Sequence, residues 1–301
     1  MATSLLLSNA AWESALAAQE PAPDQTTSQA TCAYARTRRL AQVNDAGIRE
    51  ASGLVASQQY PGVYWTLNDS GNGPNLYAFD QDGRPRGTFQ VTGAGNQDWE
   101  ALQRGPDGNG GQALYIGDVG DNDYQRGVLT IYRVPEPEPR STNGSTEPAT
   151  AFRFSYPGGP HNTEAFLVHP VTGEIVVITR EVGGVSLVYR LPQPLDSSTT
   201  MVAELVDVVD VRTFDAASGQ VTDATISTDG RHVALRTYAR LLVYDVPEGG
   251  SWDAIWGQQP RVYPVSDGPK GEGLAFRLDS DDLMSVGEER PTALYETAWH
   301  C

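Results

Sequence analysis

NLYAFD, at residues 75–80, is the first of five short segments in which a hydrophobic residue is followed directly by tyrosine within a strand-like run. These segments recur at intervals of 55, 57, 55 and 51 residues. Repeats of about 40 to 50 residues built from short β segments are typical of propeller blades. The chain is therefore predicted to be an all-β, five-bladed β-propeller. The five pairs are Leu76-Tyr77, Ile131-Tyr132, Val188-Tyr189, Val243-Tyr244 and Leu294-Tyr295.

A second repeat lies upstream of the tyrosines, where an acidic residue opens a hydrophobic strand in every unit. The segments are EASGLV with Glu50, WEAL with Glu100, TEAF with Glu164, TDATIS with Asp223 and GEGLAF with Glu272. One more strand-like segment lies between acid and tyrosine, and another follows the tyrosine in the first four units. Each blade is thus predicted to contain four antiparallel strands, with the acid at the start of the innermost one.

The last unit lacks its fourth strand, because the chain stops at Cys301 soon after the fifth tyrosine. Residues 33–43 have the length and alternation to supply this strand by pairing with residues 293–299. This pairing would bring the only two cysteines, Cys32 and Cys301, side by side, which predicts a disulfide bond. The alternative is two unrelated free thiols. Residues 1–31 are rich in Ala, Gln, Ser, Thr and Pro and are predicted to be a leader or flexible tether, with residues 32–301 as a single propeller.

Composition narrows the class of partner and the compartment. The chain has 38 acidic and 21 basic residues and a net charge of −17, which disfavours binding to nucleic acid and to anionic membrane surfaces. No stretch approaches the roughly 20 apolar residues of a membrane span. The predicted disulfide favours an extracytoplasmic location, secreted or at the cell surface. We expect a monomer.

The five acids are predicted to meet at the mouth of the central channel, because the inner strands of a propeller all begin at one face. Like charges so close together either raise one another's pKa values or hold a cation. A cage of carboxylate and carbonyl oxygens suits Ca²⁺. The predicted metal ligands are Glu50, Glu100, Glu164, Asp223 and Glu272. The alternative is that each acid only accepts hydrogen bonds from the backbone of the next blade.

The ends of the second strands differ from blade to blade, as expected for a ligand site on a repeated scaffold. Guanidinium and ammonium groups beside a metal favour an anionic ligand. The predicted ligand-binding residues are Arg180, Arg236, Tyr238 and Lys270, and the residues predicted to position a water molecule are Asp69, Asp118 and His161. The chain contains no Gly-x-Ser-x-Gly, phosphate-loop, His-Glu-x-x-His or Cys-x-x-Cys motif.

From about residue 40 onwards the chain resembles a group of secreted bacterial propeller proteins, in the segments EASGLVAS, WTLNDSG, LYAFDQDG, DWEAL, YIGDVGDN, IYRVPEPE and KGEGLAF. The ring of acids is similar to that of the five-bladed calcium-activated nucleotidases, or apyrases, and more loosely to phytase- and esterase-like propellers. This resemblance implies a central calcium held by Glu50 or Ser52 together with Glu100, Glu164 and Glu272. The fourth blade departs from the family pattern, with Asp223 and Thr225 where a small hydroxyl residue is expected.

Two functions of different class follow from these observations. The first is a secreted calcium-dependent hydrolase of an anionic, phosphoester-type small substrate. The second is a non-catalytic extracellular binding or scaffold propeller with a structural calcium. No sequence feature decides between them.

Overall fold

A computed structural model describes residues 32–140, 142–248, 251–266, 268 and 270–301. The predicted leader, residues 1–31, lies outside the described residues. The strands in chain order are β1 Ala33–Tyr34, β2 Arg38–Gln42, β3 Ala51–Ala56, β4 Val63–Asn68, β5 Asn75–Asp80, β6 Pro85–Gln90, β7 Trp99–Pro106, β8 Gln112–Asp118, β9 Leu129–Pro135, β10 Gly144–Ser145, β11 Thr150–Ser155, β12 Thr163–Val168, β13 Ile175–Thr179, β14 Val185–Arg190, β15 Thr200–Val202, β16 Glu204–Asp210, β17 Val221–Ile226, β18 His232–Thr237, β19 Arg240–Asp245, β20 Arg261–Pro264, β21 Gly271–Phe276, β22 Leu283–Gly287, β23 Ala293–Thr297 and β24 Trp299–His300.

These strands form the predicted five blades. From the inside outwards, blade I is β3-β4-β5-β6, blade II is β7-β8-β9-β11, blade III is β12-β13-β14-β16, blade IV is β17-β18-β19-β20 and blade V is β21-β22-β23-β2. Neighbouring strands within this set pair antiparallel. The inner strands also contact one another in order around the ring. β3 contacts β7, β7 contacts β12, β12 contacts β17, β17 contacts β21, and β21 contacts β3. The sequence prediction of five blades is confirmed.

Burial along the strands follows from this arrangement. The inner strand β3 is buried at every position, whereas the outer strand β20 alternates between exposed and half-buried residues. An inner strand is covered on both faces, so it has no solvent face and its residues are buried at successive positions. Outer strands retain a solvent face and therefore alternate.

The N-terminal strand completes blade V, as predicted. In the antiparallel pairing of β2 with β23, Arg38 lies opposite Glu296, and the two side chains form an ion pair with Nη2 and Oε2 2.5 Å apart. The short strands β1 and β24 pair Ala33 with His300. Cys32, which directly precedes β1, and Cys301, which directly follows β24, are joined by a disulfide bond.

Two outer edges carry an additional strand that the sequence did not predict. β10 pairs parallel with β6 of blade I, and β15 pairs parallel with β11 of blade II. Both come from the connection between the third and fourth strands of the following blade, which reaches back over its predecessor. The connection in blade IV also reaches back: Asp253 accepts a hydrogen bond from Arg190 of blade III at 2.8 Å. Each connection thus ties two successive blades together.

Within the described part of the chain, no helix has both the length and the apolar character required to cross a bilayer.

The disulfide generates the first prediction. It closes a loop of about 270 residues, for which the loop-entropy model gives roughly 4 to 5 kcal/mol of stabilisation. Reduction, or the Cys301→Ser change, should lower the melting temperature by several degrees, and the denatured, unreduced protein should contain no titratable thiol. Calorimetry and a thiol assay measure the two quantities. Two titratable thiols in freshly prepared oxidised protein would rule out the bond.

Candidate functional site

The start of each inner strand is irregular in the same way, and this irregularity defines the candidate site. The register of each inner strand against the second strand shifts near its first residues, between Ala51 and Leu54, Trp99 and Ala101, Thr163 and Ala165, Val221 and Asp223, and Gly271 and Leu274. Apart from the glycines Gly53 and Gly273, the residues within these shifts are, in blade order, Ser52, Glu100, Glu164, Thr222 and Glu272. The ring at this end of the channel is thus built from three glutamates and two hydroxyl residues.

The two hydroxyl residues, Ser52 and Thr222, form equivalent hydrogen bonds to the next blade. Ser52 Oγ donates to the backbone oxygen of Glu100 at 2.7 Å, and Thr222 Oγ1 donates to the backbone oxygen of Gly271 at 3.0 Å. In both cases the hydroxyl of one blade holds the backbone of the next blade at or beside its ring glutamate. The hydroxyl residues therefore fix the position from which Glu100 and Glu272 project.

Two aspartates join the three ring glutamates. Carboxylate oxygens of Asp69, Asp98 and Glu100 all lie within 4.8 Å of one another. Glu164 and Glu272 are close enough for their charges to act on Glu100. We call the set Asp69, Asp98, Glu100, Glu164 and Glu272 the acid cluster.

Burial and the charges of neighbouring carboxylates raise the pKa values of four members of the acid cluster, Asp98, Glu100, Glu164 and Glu272. Burial raises the pKa of Glu100 well above its ordinary value, and the charges of Glu164 and Asp69 raise it further. Burial, followed by the charges of Glu164 and Glu288, raises the pKa of Glu272 to about 8. Burial, followed by the charge of Asp69, raises the pKa of Asp98 to about 7. At neutral pH the acid cluster therefore holds protons that ordinary carboxyl groups would have lost.

In two of the ring glutamates, Glu164 and Glu272, one carboxylate oxygen accepts hydrogen bonds from donors in blades III and IV. Oε1 of Glu164 accepts from Arg180 Nη2 at 2.6 Å and from Asn162 Nδ2 at 2.8 Å. Oε1 of Glu272 accepts from the hydroxyl of Tyr238 at 3.1 Å. Oε2 of Glu272 is buried and has no hydrogen-bond partner among the described residues. Such an atom is costly to bury unless a hydrogen-bond donor or a cation occupies the space beside it.

A cavity of about 380 Å³ opens beside Asp98. One wall is the loop that follows β8, whose shape is fixed by Asp121, which accepts the backbone N–H groups of Gln125 and Arg126 at 2.8 Å. The backbone N–H of Asp121 donates to Asn162 Oδ1 at 2.7 Å. Because Asn162 also holds Glu164, the cavity wall and the acid cluster are parts of one hydrogen-bonded network.

Further along the inner strands, contacts cross the channel between blades that are not neighbours. Gln103 Nε2 of blade II donates to the backbone oxygen of Ala224 in blade IV at 2.7 Å, and both residues are buried. Arg104 Nη2 donates to Thr228 Oγ1 at 2.7 Å. These bonds join blades II and IV across the ring, further along the inner strands than the acid cluster.

Three of the five predicted metal ligands, Glu100, Glu164 and Glu272, come together in the acid cluster, and two are placed elsewhere. Glu50 is half-exposed, with Oε1 3.3 Å from Arg290 and Oε2 accepting from Asn72 at 3.1 Å. Asp223 accepts the backbone N–H groups of Ala224 and Leu274 at 2.8 and 2.7 Å. It fastens blade IV to blade V, which is the alternative that the sequence left open for these acids.

Of the three residues predicted to position a water molecule, one lies in the acid cluster and two lie outside it. Asp69 belongs to the acid cluster. Asp118 is buried and bonded to Arg126 Nη2 at 2.8 Å. Asn68 holds the same place in blade I, and each accepts backbone N–H groups from the segment before the inner strand. The Nδ1 atom of His161 lies 2.9 Å from Glu181.

Of the predicted ligand-binding residues, Arg180 and Tyr238 contact the acid cluster directly. Lys270 is exposed and pairs with Glu288 at 2.5 Å. Arg236 is fully buried against the backbone of Gly271, where a Cβ atom would lie 1.4 Å from its Nη2. Its charge acts on the cluster by lowering the pKa of Glu272.

Sequence reasoning missed Asp98 and Thr222. Asp98 stands two residues before Glu100 in QDWE, and side chains two apart in an extended segment point to the same side. This spacing could have identified it. Thr222 precedes the acid of TDATIS, and only the register shift at the start of β17 shows that Thr222, instead of Asp223, occupies the ring position.

Comparisons with known proteins support the fold alone. No protein-family model matches the chain, and no curated protein is similar to it in sequence. A solved structure named glucose dehydrogenase is similar over 89% of this chain and 100% of its own length, with 10% identity and a TM-score of 0.51. A second glucose dehydrogenase crystal structure covers 88% of this chain and 99% of its own length, with 10% identity and a TM-score of 0.48. The Cps50 (Swd1) β-propeller domain of Myceliophteria thermophila covers 82% and 83%, with 10% identity and a TM-score of 0.41.

The raised pKa values predict how the stability of the metal-free protein depends on pH. Glu272 and Asp98 have folded-state pKa values of about 8 and 7 against ordinary values of 4.5 and 3.8. The folded state therefore binds more protons than the unfolded state between these limits, and stability falls as pH rises through the folded values. In chelator, the melting temperature should decrease from pH 5 to pH 9.

The Glu272→Gln variant supplies the control for this measurement. Glutamine has no proton to lose, so the decrease between pH 5 and pH 9 should be smaller in the variant than in the wild type. Equal slopes in thermal melts of the two proteins would contradict the raised pKa of Glu272.

Proposed function

We propose that this propeller binds a divalent cation at the acid cluster, with Ca²⁺ as the best-matched ion, and uses it to hydrolyse an anionic, phosphoester-type small substrate. The observation that carries the proposal is the buried Oε2 of Glu272, which has no hydrogen-bond partner among the described residues and lies in a cluster of mutually repelling carboxyl groups. A cation would reduce the repulsion within the cluster and give this oxygen a partner.

The chemistry of the acid cluster fits a hard cation. Every potential ligand is a carboxylate oxygen, and neither histidine nor cysteine belongs to the cluster. Ca²⁺ takes six to eight oxygen ligands from carboxylates, carbonyls and water, whereas zinc and other transition metals favour nitrogen or sulfur ligands. Glu100, Glu164 and Glu272 are the residues that would hold the ion, with Asp69 and Asp98 at its side.

The surrounding residues have roles that suit a hydrolase. When bound, a divalent cation polarises the oxygen of an ester and stabilises the charge that develops on it. Arg180, which is mostly buried and contacts Glu164, would bind the charge of the substrate. Asp69 is the candidate to accept a proton from water, because it belongs to the acid cluster, whereas Asp118 and His161 are paired with Arg126 and Glu181 outside it. The cavity beside Asp98 provides room for a small substrate.

A second candidate, a non-catalytic binding propeller with a structural cation, is supported by a different observation. Of the three cationic residues predicted to bind substrate, only Arg180 contacts the acid cluster, since Lys270 pairs with Glu288 and Arg236 is buried. In either case the Cys32–Cys301 disulfide supports an extracytoplasmic location.

Metal binding is tested by thermal melts at pH 8.5. Chelator should lower the melting temperature and Ca²⁺ should restore it, because a ligand that binds only the folded state stabilises it. Glu272→Gln should weaken the response, since one negatively charged ligand is lost. Glu174→Gln is a matched control: Glu174 pairs with Arg190 and lies outside the acid cluster. A melting curve indifferent to chelator, in protein free of metal by elemental analysis, would contradict the proposal.

Catalysis is tested with nucleoside di- and triphosphates, phytate and a chromogenic phosphodiester. The proposal expects Ca²⁺-dependent turnover of at least one of them, and Arg180→Ala should reduce turnover more than it reduces stability. Arg190→Ala, on the outer side of blade III, is the control. Protection by phosphate or carboxylate anions without turnover would favour the binding propeller, and absence of both would reject a ligand site at this mouth.

A further inference from the structure

The three ring glutamates are not equally free to bind a cation. Each of Glu164 and Glu272 has one oxygen committed to donors outside the ring, and Glu272 depends on a single donor. Oε1 of Glu164 has two donors, Arg180 and Asn162, so that either can hold it if the other is lost. Among the described residues, Oε1 of Glu272 accepts only from the Tyr238 hydroxyl.

Tyr238 is well placed to control the orientation of Glu272. It follows β18 directly, in the same blade as the ring residue Thr222, and thus reaches from blade IV to a glutamate of blade V. Glu272 is 5% exposed, so water has little access to replace the hydroxyl at Oε1. The bond fixes which of the two oxygens points away from Tyr238, and that oxygen is the partnerless Oε2.

We propose that Tyr238 is a positioning residue that sets the ion preference of the acid cluster, by occupying Oε1 of Glu272 so that the carboxylate offers a cation only Oε2. This inference rests on the cation site described under Proposed function. It assigns to Tyr238 a role through Glu272 instead of direct contact with a ligand.

The consequence for ion preference follows from coordination geometry. Ca²⁺ accepts both monodentate and bidentate carboxylates at 2.3–2.6 Å, whereas Mg²⁺ requires a nearly ideal octahedron at 2.0–2.1 Å. The two oxygens of one carboxylate are too close together to fill two octahedral corners. A carboxylate held monodentate by Tyr238 therefore suits both ions, and a carboxylate released from Tyr238 can turn and bind through both oxygens, which suits Ca²⁺ better.

The test compares Tyr238→Phe with the wild type in calorimetric titrations of the whole chain with Ca²⁺ alone and with Mg²⁺ alone. The affinity for Mg²⁺ should fall by about tenfold, the lower end of the usual effect of losing a donor that orients a metal ligand. The affinity for Ca²⁺ should fall less, so that the ratio of Ca²⁺ to Mg²⁺ affinity rises. The melting temperature of the metal-free protein should also fall, because Oε1 of Glu272 loses its hydrogen-bond donor.

Tyr244→Phe is the matched control. Tyr244 lies in the same blade and is 1% exposed, and its hydroxyl has no hydrogen-bond partner among the described residues. Its removal should leave both affinities unchanged. In a Glu272→Gln background, Tyr238→Phe should no longer alter the ratio, because no carboxylate remains to turn.

The outcomes separate this inference from the proposed function. If Tyr238→Phe lowers both affinities by the same factor, or neither, the inference is overturned while the cation site stands. A change of ratio that persists in the Glu272→Gln background overturns it as well, since the effect would not pass through Glu272. If the wild type binds neither ion, the proposed function fails and this inference fails with it.

Discussion

The convergence of five inner strands on one axis is the constraint on which the rest of this molecule depends. Residues at the same position of each blade are forced together, whatever their charge. Glu100, Glu164 and Glu272 meet in this way, with Asp69 and Asp98 at their side, and all are withdrawn from water to differing degrees. Like charges in a medium of low polarity repel strongly, so the cluster must retain protons or bind a cation. Both responses link the chemistry of the mouth directly to the stability of the ring.

A ring that contains this repulsion needs strong closure, and the chain supplies it at several levels. The N-terminal strand completes blade V, and the Cys32–Cys301 disulfide joins the two ends of the described chain. The connections that carry β10 and β15 reach back over the preceding blade. Across the channel, Gln103 links blades II and IV. The acid cluster therefore sits on a scaffold whose parts cannot easily move apart to relieve the repulsion.

The fold was predictable because its signal repeats. The spacing of the tyrosines and of the strand-opening acids predicted the number of blades. The absence of a fourth strand in the last unit predicted the pairing of residues 33–43 with residues 293–299. The parallel strands β10 and β15 were not predictable, since they are two and three residues long and have no period. The disulfide followed from the position of the two cysteines relative to the predicted closing strands.

The candidate site was predictable only in part, because the ring position depends on a one- or two-residue shift in register. Glu50 and Asp223 looked equivalent to the other acids in the sequence, yet Ser52 and Thr222 occupy their places. A shift of one residue turns a side chain to the opposite face of a strand, and no pattern in a single unit reveals it. The burial of Arg236 against Gly271 and the ion pair of Lys270 with Glu288 could not be predicted either, because they depend on loops whose path the repeat does not specify.

The central claim is that the buried carboxyl groups hold protons which a divalent cation displaces. The most direct measurement is calorimetric titration of the metal-free protein with Ca²⁺ at pH 7 in buffers of different ionisation enthalpy, which counts the protons released on binding. With the pKa of Glu272 at about 8, Ca²⁺ binding should release protons at pH 7, and the release should diminish towards pH 9. Binding without proton release at pH 7, or no binding at either pH, would contradict the claim.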